Sequence, residues 1–275
     1  MKSLHLTYTA KHTSVVSSML AVVLIVSALV SLSGCAHTDN ATPEESNDSY
    51  TLVESGTLTV AASLDFPPFE TLTNGKPSGF AVELMELLAD KMGLTCTYLP
   101  SVKFDSIVPM IAAGGKADVG VSSFTISAER AREIDFTDPY MDANQGVVVT
   151  TDSKIVDPTE LKGKTIGAQS GTTGYDWAVE NIEDAHVVAY DEMTAIFAAL
   201  QSGNIEGIVA DLPVVLNYTA NAYQNCSVIA QIPTGEQYAI VVNKSNPALT
   251  QALNDALAQA MADGTYDALY NKYFS

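Results

Sequence analysis

From residue 51 to the end of the chain, apolar and polar positions alternate with two different periods. Short runs rich in β-branched residues, the first at residues 58–62, predict strands; segments with apolar residues three and four positions apart, the first at residues 80–92, predict helices. Further strands are predicted at residues 95–99, 117–121, 146–150, 165–168, 187–190, 207–210 and 238–242. Further helices are predicted at residues 105–113, 173–181, 192–201, 212–219, 247–262 and 266–273. This alternation predicts an α/β fold in which helices cover parallel sheets.

Residues 1–34 follow a different pattern. Two lysines precede an apolar, charge-free run at residues 15–30, which has about the length of a signal-peptide core and is short for a membrane span. The run leads into Leu-Ser-Gly directly before Cys35, and these four positions resemble the bacterial lipobox. The resemblance implies a lipoprotein signal peptide, cleavage before Cys35 and attachment of membrane lipid to its thiol. An uncleaved membrane anchor is the alternative.

Both alternatives place the rest of the chain outside the cytoplasm, and the lipobox implies an anchor on the outer face of the cytoplasmic membrane. Residues 35–50 are polar, acidic and without periodicity, so we predict a flexible tether between the lipid and the folded part. No later segment has a sequence apolar enough to span a bilayer.

The chain has 275 residues, enough for about two compact units once a targeting segment is removed. It carries 13 basic against 32 acidic residues, which gives a formal net charge of -19. A surface this acidic repels phosphate backbones, so we expect no nucleic-acid partner. Solubility alone is the simpler reason for the charge.

The cysteines Cys35, Cys96 and Cys226 lie far apart, and the four histidines are scattered. No pair has the spacing of metal ligands, so neither a metal nor another cofactor is expected. Cys96 and Cys226 are able to pair only if they meet in an oxidising compartment. The two-lobed arrangement described below places them in different lobes, and we therefore expect free thiols.

Polar and aromatic residues follow four predicted strands at the point where each strand ends. They occupy residues 63–69, residues 122–125 with Arg130 shortly after, residues 169–174, and Asp211. Ligands in open α/β sheets bind at the carboxyl ends of strands. The four loops together offer one guanidinium, one carboxylate, hydroxyls, helix-start N–H groups and aromatic rings. These are the groups that a zwitterionic amino acid needs.

Each of these features also has a simpler structural explanation. Arg130 is able to form a surface ion pair, and Asp211 to cap the helix that follows it. Residues 170–174 suggest a phosphate-binding loop, but no Lys-Ser or Lys-Thr follows them. Residues 66–69 are also compatible with core packing or with an exposed extended segment.

Seven short motifs occur in order along the chain. They are Phe66-x-Pro68-Phe69-Glu70, Gly79-Phe80-x-Val82-x-Leu84, Asp118-x-Gly120, Ser127-x-x-Arg130, Ile134-Asp135-Phe136-Thr137-x-Pro139-Tyr140, Gly167-x-x-x-Gly171-Thr172 and Gly264-Thr265-Tyr266. In order and spacing they resemble the family-3 extracellular solute-binding proteins, the polar amino acid receptors of ABC transporters. The resemblance runs from about Leu58 to Phe274, nearly the whole chain after the tether.

The resemblance implies a periplasmic-binding-protein-like fold, in which two α/β lobes are joined by a two-strand hinge with the ligand cleft between them. Lobe 1 would comprise residues 51–143 and 239–275, and lobe 2 residues 144–238. The two hinge crossings are expected near residues 142–146 and 236–238.

The resemblance also implies roles for individual residues. Arg130 would bind the ligand α-carboxylate together with the backbone N–H groups of Thr125 and Thr173. Asp211 would bind the α-ammonium together with the Ser123 carbonyl and the Thr125 hydroxyl.

The ligand side chain would lie between Phe66 and Phe104, with Ser63 and Gln169 at its tip. Some relatives for glutamine or basic amino acids have an aspartate where this chain has Ser63, and an unpaired cation in a closed cleft is costly. We therefore expect a neutral polar amino acid. A basic one such as arginine is the alternative, with Asp65 or Glu236 as the acid that pairs with its side chain.

The predicted function is capture of a free L-amino acid by hinge closure for an ABC importer, whose membrane permease subunits would recognise the closed form. We expect a monomer and no catalysis. An exported cyclohexadienyl dehydratase-like enzyme is one alternative; it needs a general acid in the cleft, which Ser63 and Ala210 do not provide although Asp211 is near. A sensor subunit is the other, and it normally needs a membrane span connected to a cytoplasmic module.

Overall fold

The structure is a computed structural model that describes residues 49–275. The predicted signal peptide, Cys35 and most of the tether lie outside the described residues. The strands are β1 (Thr57–Ala61), β2 (Asp65–Phe66), β3 (Glu70–Thr73), β4 (Lys76–Ser78), β5 (Thr95–Tyr98), β6 (Val119–Thr125), β7 (Ile134–Phe136), β8 (Met141–Thr150), β9 (Thr165–Gln169), β10 (His186–Tyr190), β11 (Gly207–Asp211) and β12 (Cys226–Asn243). The α-helices are α1 (Phe80–Lys91), α2 (Phe104–Ala113), α3 (Thr173–Asn181), α4 (Met193–Gln201), α5 (Leu212–Asn221), α6 (Pro247–Ala262) and α7 (Thr265–Phe274), and short 3-10 helices lie at Arg130–Arg132 and Pro158–Leu161.

A large mixed sheet forms the centre of the fold. Its strand order is β10-β9-β11-β8-β12-β6-β1-β5, with β7 paired to β12, and β2, β3 and β4 form a small separate sheet. The strands β1, β5 and β6 are parallel, as are β9, β10 and β11. The first lobe is built on β1, β5, β6 and β7, and the second on β9, β10 and β11. The strands β8 and β12 connect the two lobes.

The connecting strands distinguish this sheet from the purely parallel sheets that the alternation predicted. β12 spans 18 residues. It pairs antiparallel with β8, where Ile232 lies opposite Gln145 and Glu236 opposite Ala143, and then continues against β6 and β7. The chain leaves the first lobe in β8 and returns to it in β12, so these two strands run in opposite directions. The predicted two-lobed α/β fold is confirmed, while the exact lobe boundaries stay a prediction.

Local sequence signals explain where the first helix begins and ends. Gly79 has a φ angle of 125°, and a Cβ atom at this position would lie 2.2 Å from the carbonyl oxygen of Phe69, so only glycine fits. The next residue, Phe80, donates its N–H to the Pro68 carbonyl at 2.9 Å. After the helix, Gly93 adopts a φ angle of 71°, as is common where helices end. The turn at Gly79 thereby joins the loop after β1 to the start of α1.

Helices cover both faces of the sheet. α1, α6 and α7 pack on the first lobe, and α4 and α5 on the second, around one continuous apolar core. α2 and α3 pack over two smaller apolar clusters, one in each lobe. The first residues of these two helices, Phe104 and Thr173, both line the cavity described below. The fold therefore brings the start of one helix from each lobe to the same place.

Residues 49–275 contain two cysteines, and both are unpaired. None of the helices in this range is both long enough and apolar enough to cross a membrane. Cys96 and Cys226 are free thiols, as expected from their positions. Among the residues that the structure describes, no group of three or more His, Cys, Asp or Glu side chains is arranged to hold a metal ion.

Candidate functional site

A narrow cavity of about 10 Å³ lies between the two lobes. Eight of the nine residues predicted for the site line it: Phe66, Phe104, Ser123, Thr125 and Arg130 from the first lobe, and Gln169, Thr173 and Asp211 from the second. The ninth, Ser63, is buried but does not line the cavity. Its backbone N–H donates to the hydroxyl of Ser122, which does line the cavity, at 3.3 Å. The binding roles of these residues stay predictions.

Arg130 reaches the cavity from a 3-10 turn that follows β6. The Ser127 hydroxyl accepts the backbone N–H of Arg130 at 3.2 Å and so fixes the start of this turn. The guanidinium donates to the Thr125 carbonyl at 2.7 Å and, across the cleft, to the Gly171 carbonyl at 2.9 Å. Its carbon also lies 5.3 Å from the centre of the Phe104 ring. Arg130 is therefore held at the boundary between the lobes and is not an isolated surface charge.

Asp211 ends β11 on the opposite side of the cavity. It stands at the N-cap position of α5, but its side chain makes no capping hydrogen bond. Its carboxylate accepts hydrogen bonds from Nε2 of Gln145 at 2.7 Å and from the hydroxyl of Tyr238. Burial and the charge of Glu236 raise the pKa of Asp211 from 3.8 to about 6, against the opposing effects of its two hydrogen bonds and of Arg130. The structure thus disfavours the simpler explanation that Asp211 only caps a helix.

Gln145 connects a second acid of the cleft, Glu236, to Asp211. Its Nε2 atom lies 2.8 Å from Oε2 of Glu236, in addition to its contact with Asp211. Glu236 also accepts a hydrogen bond from the Thr125 hydroxyl at 3.3 Å. A chain of hydrogen bonds therefore runs from Thr125 in the first lobe, through Glu236 and Gln145 on the connecting strands, to Asp211 in the second lobe.

The aromatic and amide residues predicted for the ligand side chain occupy both walls of the cavity. Phe104 stacks on Phe124 with ring centres 4.7 Å apart. Phe66 is 7% exposed, so little of its ring is accessible. Gln169 donates its Nε2 hydrogen to the Asp191 carbonyl at 3.0 Å, which orients its amide. The expected sandwich of a side chain between Phe66 and Phe104 stays a prediction.

A larger space of about 300 Å³ adjoins the cavity and shares Phe104, Arg130 and Thr173 with it. Four carboxylates line this space, and they belong to Asp105, Glu129, Glu133 and Asp176. Arg130 is the one basic residue among its lining residues. We call this space the acidic vestibule, and its negative charge favours the approach of cations.

Five residues of the site were not predicted as contributors from the sequence alone. Ser122 and Thr172 line the cavity, and Glu70, Gln145 and Tyr238 contact residues that line it. Glu70 was noted only as part of a motif, and Gln145 lies one residue before a predicted strand. No sequence signal singles out Gln145, because Asp142 and Asn144 in the same strand are also polar. Only its burial in the structure, at 0% exposed, shows that this polar side chain needs partners. Tyr238 carries no sequence signal either, because a tyrosine is an ordinary strand residue.

The sequence matches a known protein family over almost all of the described residues. Residues 58–275 match the bacterial extracellular solute-binding proteins, family 3. The chain is 31% identical over 223 residues to a probable histidine-binding protein of Neisseria gonorrhoeae, covering 78% of this chain and 82% of that protein. It is 32% identical to ABC transporter arginine-binding protein 1 of Escherichia coli K12, covering 79% of this chain and 90% of that protein.

Solved structures with the same fold agree with this match. An ancestral arginine-binding protein bound to arginine superimposes with a TM-score of 0.75 at 35% identity and covers 80% of this chain and 99% of its own. The ancestral amino acid-binding protein AncCDT-1, described as a precursor of cyclohexadienyl dehydratase, gives a TM-score of 0.74 at 33% identity over 80% of this chain and 96% of its own. The resemblance expected from the motifs is confirmed: this chain belongs to family 3 of the bacterial extracellular solute-binding proteins.

Proposed function

We propose that this protein captures a free L-amino acid as the substrate-binding component of an ABC importer. The observation that carries the proposal is that Arg130 and Asp211 line one cavity from opposite lobes. A free amino acid has a carboxylate and an ammonium on the same carbon, so one cation and one anion that face each other complement its two ends. The histidine- and arginine-binding relatives support the same class of ligand.

The carboxylate end of the ligand would bind beside Arg130. A guanidinium has five N–H donors, and its two hydrogen bonds to the carbonyls of Thr125 and Gly171 leave others for a ligand. Thr173 begins α3, so its N–H points out of the start of a helix, where anions are stabilised. The hydroxyl of Thr172 caps this helix start by accepting the Tyr175 N–H at 3.2 Å.

The ammonium end would bind beside Asp211. Each oxygen of this carboxylate accepts one hydrogen bond, from Gln145 or from Tyr238, and has capacity for a second. The nearby carboxylate of Glu236 adds negative charge at the same end of the cavity. The carbonyl of Ser123 is the proposed neutral acceptor.

We propose a basic amino acid, such as arginine, as the preferred ligand. Ser63 does not line the cavity, so the absence of an acid at this position is a weaker argument against a basic side chain than it was from the sequence. Asp211 and Glu236 together outweigh the charge of Arg130, and the acidic vestibule adds four more carboxylates. The neutral polar amino acid expected from the sequence is the second candidate, supported by a solved structure of an ancestral arginine-binding protein bound to glutamine.

Closure of the lobes on the ligand is the proposed mechanism. In this structure the lobes already touch outside the cavity: Lys103 pairs with Asp191 at 2.5 Å, and the Ser170 hydroxyl donates to Asp105 at 2.9 Å. A ligand that contacts both lobes adds interactions only in the closed arrangement, and it therefore shifts the equilibrium toward that arrangement.

The remaining parts of the proposal concern location and partners. We propose that lipid on Cys35 anchors the protein at the outer face of the cytoplasmic membrane, that it acts as a monomer, and that the permease subunits bind its closed form. We also propose that it binds its ligand without chemical conversion. Incubation with prephenate or arogenate should therefore give no aromatic product; formation of such a product would favour the dehydratase alternative.

A screen of free amino acids tests the proposed function. A ligand that binds only the folded state raises the melting temperature, so the purified protein should be heated with each of the standard L-amino acids and with cystine. Isothermal titration calorimetry should then compare arginine, lysine, histidine and glutamine. We expect the basic amino acids to bind more tightly than glutamine. The proposal fails if no free amino acid stabilises the protein.

A further inference from the structure

Ser123 has an unusual backbone conformation at the edge of the cavity. Its φ angle is 50°, in the left-handed region that favours glycine, although it lies within β6. The register between β6 and β12 shifts here, so that residues 121–123 of β6 lie opposite residue 240 alone. The backbone of Ser123 is thereby turned out of the regular ladder of the sheet.

Glu70 makes the contacts that hold this conformation. Its Oε1 atom accepts the backbone N–H of Ser123 at 3.0 Å. The hydroxyl of Ser123 lies 3.2 Å and 3.1 Å from the two carboxylate oxygens. Glu70 is 0% exposed and begins β3, directly after Phe69, whose carbonyl accepts the N–H of Ala81 in α1 at 3.1 Å. Glu70 therefore has a fixed backbone position, and its carboxylate accepts hydrogen bonds from the N–H and the hydroxyl of Ser123.

This carboxylate is in an unfavourable environment for a charged group. Burial raises the pKa of Glu70 well above its ordinary value, although the hydrogen bonds from Ser123 oppose the shift. Among the described residues, no lysine or arginine forms a salt bridge with it. Its side-chain hydrogen bonds all go to Ser123, which lines the cavity. A role at the cavity explains such a residue better than a contribution to stability does.

We infer that Glu70 is a positioning residue for the ammonium end of the site, which holds Ser123 at positive φ and so directs the Ser123 carbonyl to the ligand. The inference rests on the proposed function, in which that carbonyl accepts a hydrogen bond from the α-ammonium. Glu70 does not line the cavity itself, so it acts through Ser123.

Two substitutions of Glu70 distinguish the effect of its hydrogen bonds from the effect of its charge. Glu70→Met fills similar space but has no strong acceptor, and Glu70→Gln keeps an oxygen for the Ser123 N–H without a charge. With L-arginine as the probe, and L-glutamine as a second one, calorimetry should show affinity about tenfold weaker for Glu70→Met and nearly unchanged for Glu70→Gln. Equal affinity of Glu70→Met and wild type would overturn the inference, as would an equal loss in both variants.

The same comparison in a Ser123→Gly background tests whether the backbone conformation is the cause. Glycine adopts positive φ without a steric penalty, so the loss caused by Glu70→Met should be at least about threefold smaller in this background. An equal loss in both backgrounds would show that Glu70 acts by packing and not through Ser123.

Folding and the proposed function are controlled separately. The melting temperature of each variant without ligand shows whether it folds; if Glu70→Met alone does not fold, its combination with Ser123→Gly should fold, because the strain at Ser123 is removed. Failure of both to fold overturns the inference in favour of a structural role. If wild-type protein binds neither probe nor any other amino acid, the proposed function fails and the inference falls with it.

Discussion

Asp65 of the first lobe accepts a hydrogen bond from the backbone N–H of Thr194 in the second lobe at 3.2 Å. The other oxygen of this carboxylate accepts the hydroxyl of Tyr218 at 3.0 Å. Thr194 lies in the first turn of α4, and Glu192, at the N-cap position of this helix, makes no capping hydrogen bond. Asp65 therefore takes the place of the missing cap from across the cleft. In the proposed closure mechanism, separation of the lobes would break this contact.

Removal of this contact should favour the open arrangement. A lost cap costs about 1 kcal/mol, so Asp65→Ala should weaken ligand binding about fivefold and increase the radius of gyration of the ligand-free protein in small-angle X-ray scattering. Asp157→Ala is the matched control, because Asp157 caps a 3-10 helix within the second lobe by accepting the Thr159 N–H at 2.9 Å. Equal affinities for Asp65→Ala and the control would show that the contact does not affect closure.

Arg130→Ala should nearly abolish binding. The substitution removes the only proposed cation for the ligand carboxylate, and loss of one partner from a buried charge pair costs roughly 2–5 kcal/mol. Calorimetry with the amino acid found in the screen gives the difference directly. Arg132→Ala is the control, since Arg132 lies in the same 3-10 helix but is exposed. If Arg130→Ala binds as tightly as the control, Arg130 is not part of the site.

Ligand affinity should fall when the solution is acidified through about pH 6. The pKa of Asp211 in the ligand-free protein is raised to about 6, first by burial and then by Glu236, so at lower pH this carboxyl is neutral and offers the α-ammonium no charge. Binding below this pH then requires release of the proton, which should appear as a buffer-dependent heat in calorimetry. An affinity that stays constant between about pH 5 and pH 8 would contradict the assignment of Asp211 to the ammonium end.

Asp211→Asn should stabilise the ligand-free protein at neutral pH while it weakens binding. The pKa of Asp211 is about 6 in the folded protein, against an ordinary value of 3.8. Between these pH values the folded protein retains a proton that the unfolded chain releases. The free energy of unfolding therefore falls as the pH rises through this range. Removing the charge should recover about 1 to 3 kcal/mol of unfolding free energy at pH 7. Urea denaturation at pH 7 and below pH 4 tests this, since the gain should vanish at the lower pH. A variant less stable than wild type at pH 7 would contradict it.

The rate at which arginine binds should depend strongly on salt. The acidic vestibule attracts a ligand with net positive charge, and the Debye length falls from about 30 Å to 3 Å between 0.01 M and 1 M ionic strength. Stopped-flow measurements should show slower association of arginine at high salt. Glutamine, which has no net charge, should show little change. Glu129→Gln with Glu133→Gln should reduce the salt dependence for arginine; an unchanged dependence would exclude the vestibule as its source.

Helices were the elements that the sequence predicted most accurately. α3 and α6 have the predicted bounds, Thr173–Asn181 and Pro247–Ala262. The reason is local: the Thr172 hydroxyl caps α3, and Pro247 suits the first turn of α6, so the signals lie within a few residues of the helix that they start. The eight predicted strands all overlap observed ones, but the short strands β2, β3, β4 and β7 were not predicted. β12 is far longer than predicted, because its length depends on partners in both lobes.

The sequence by itself determined the α/β class, the family, and the residue types that meet in the cleft, because periodicity and motif spacing are properties of the chain alone. Only the tertiary structure decided that Ser63 lies behind the cavity, that Gln145 joins Asp211 to Glu236, and that Glu70 holds Ser123. These relationships join residues between 53 and 91 positions apart. Distances of this kind are set by strand pairing and lobe closure, and burial, which shifts the pKa of Asp211, exists only after the chain has folded.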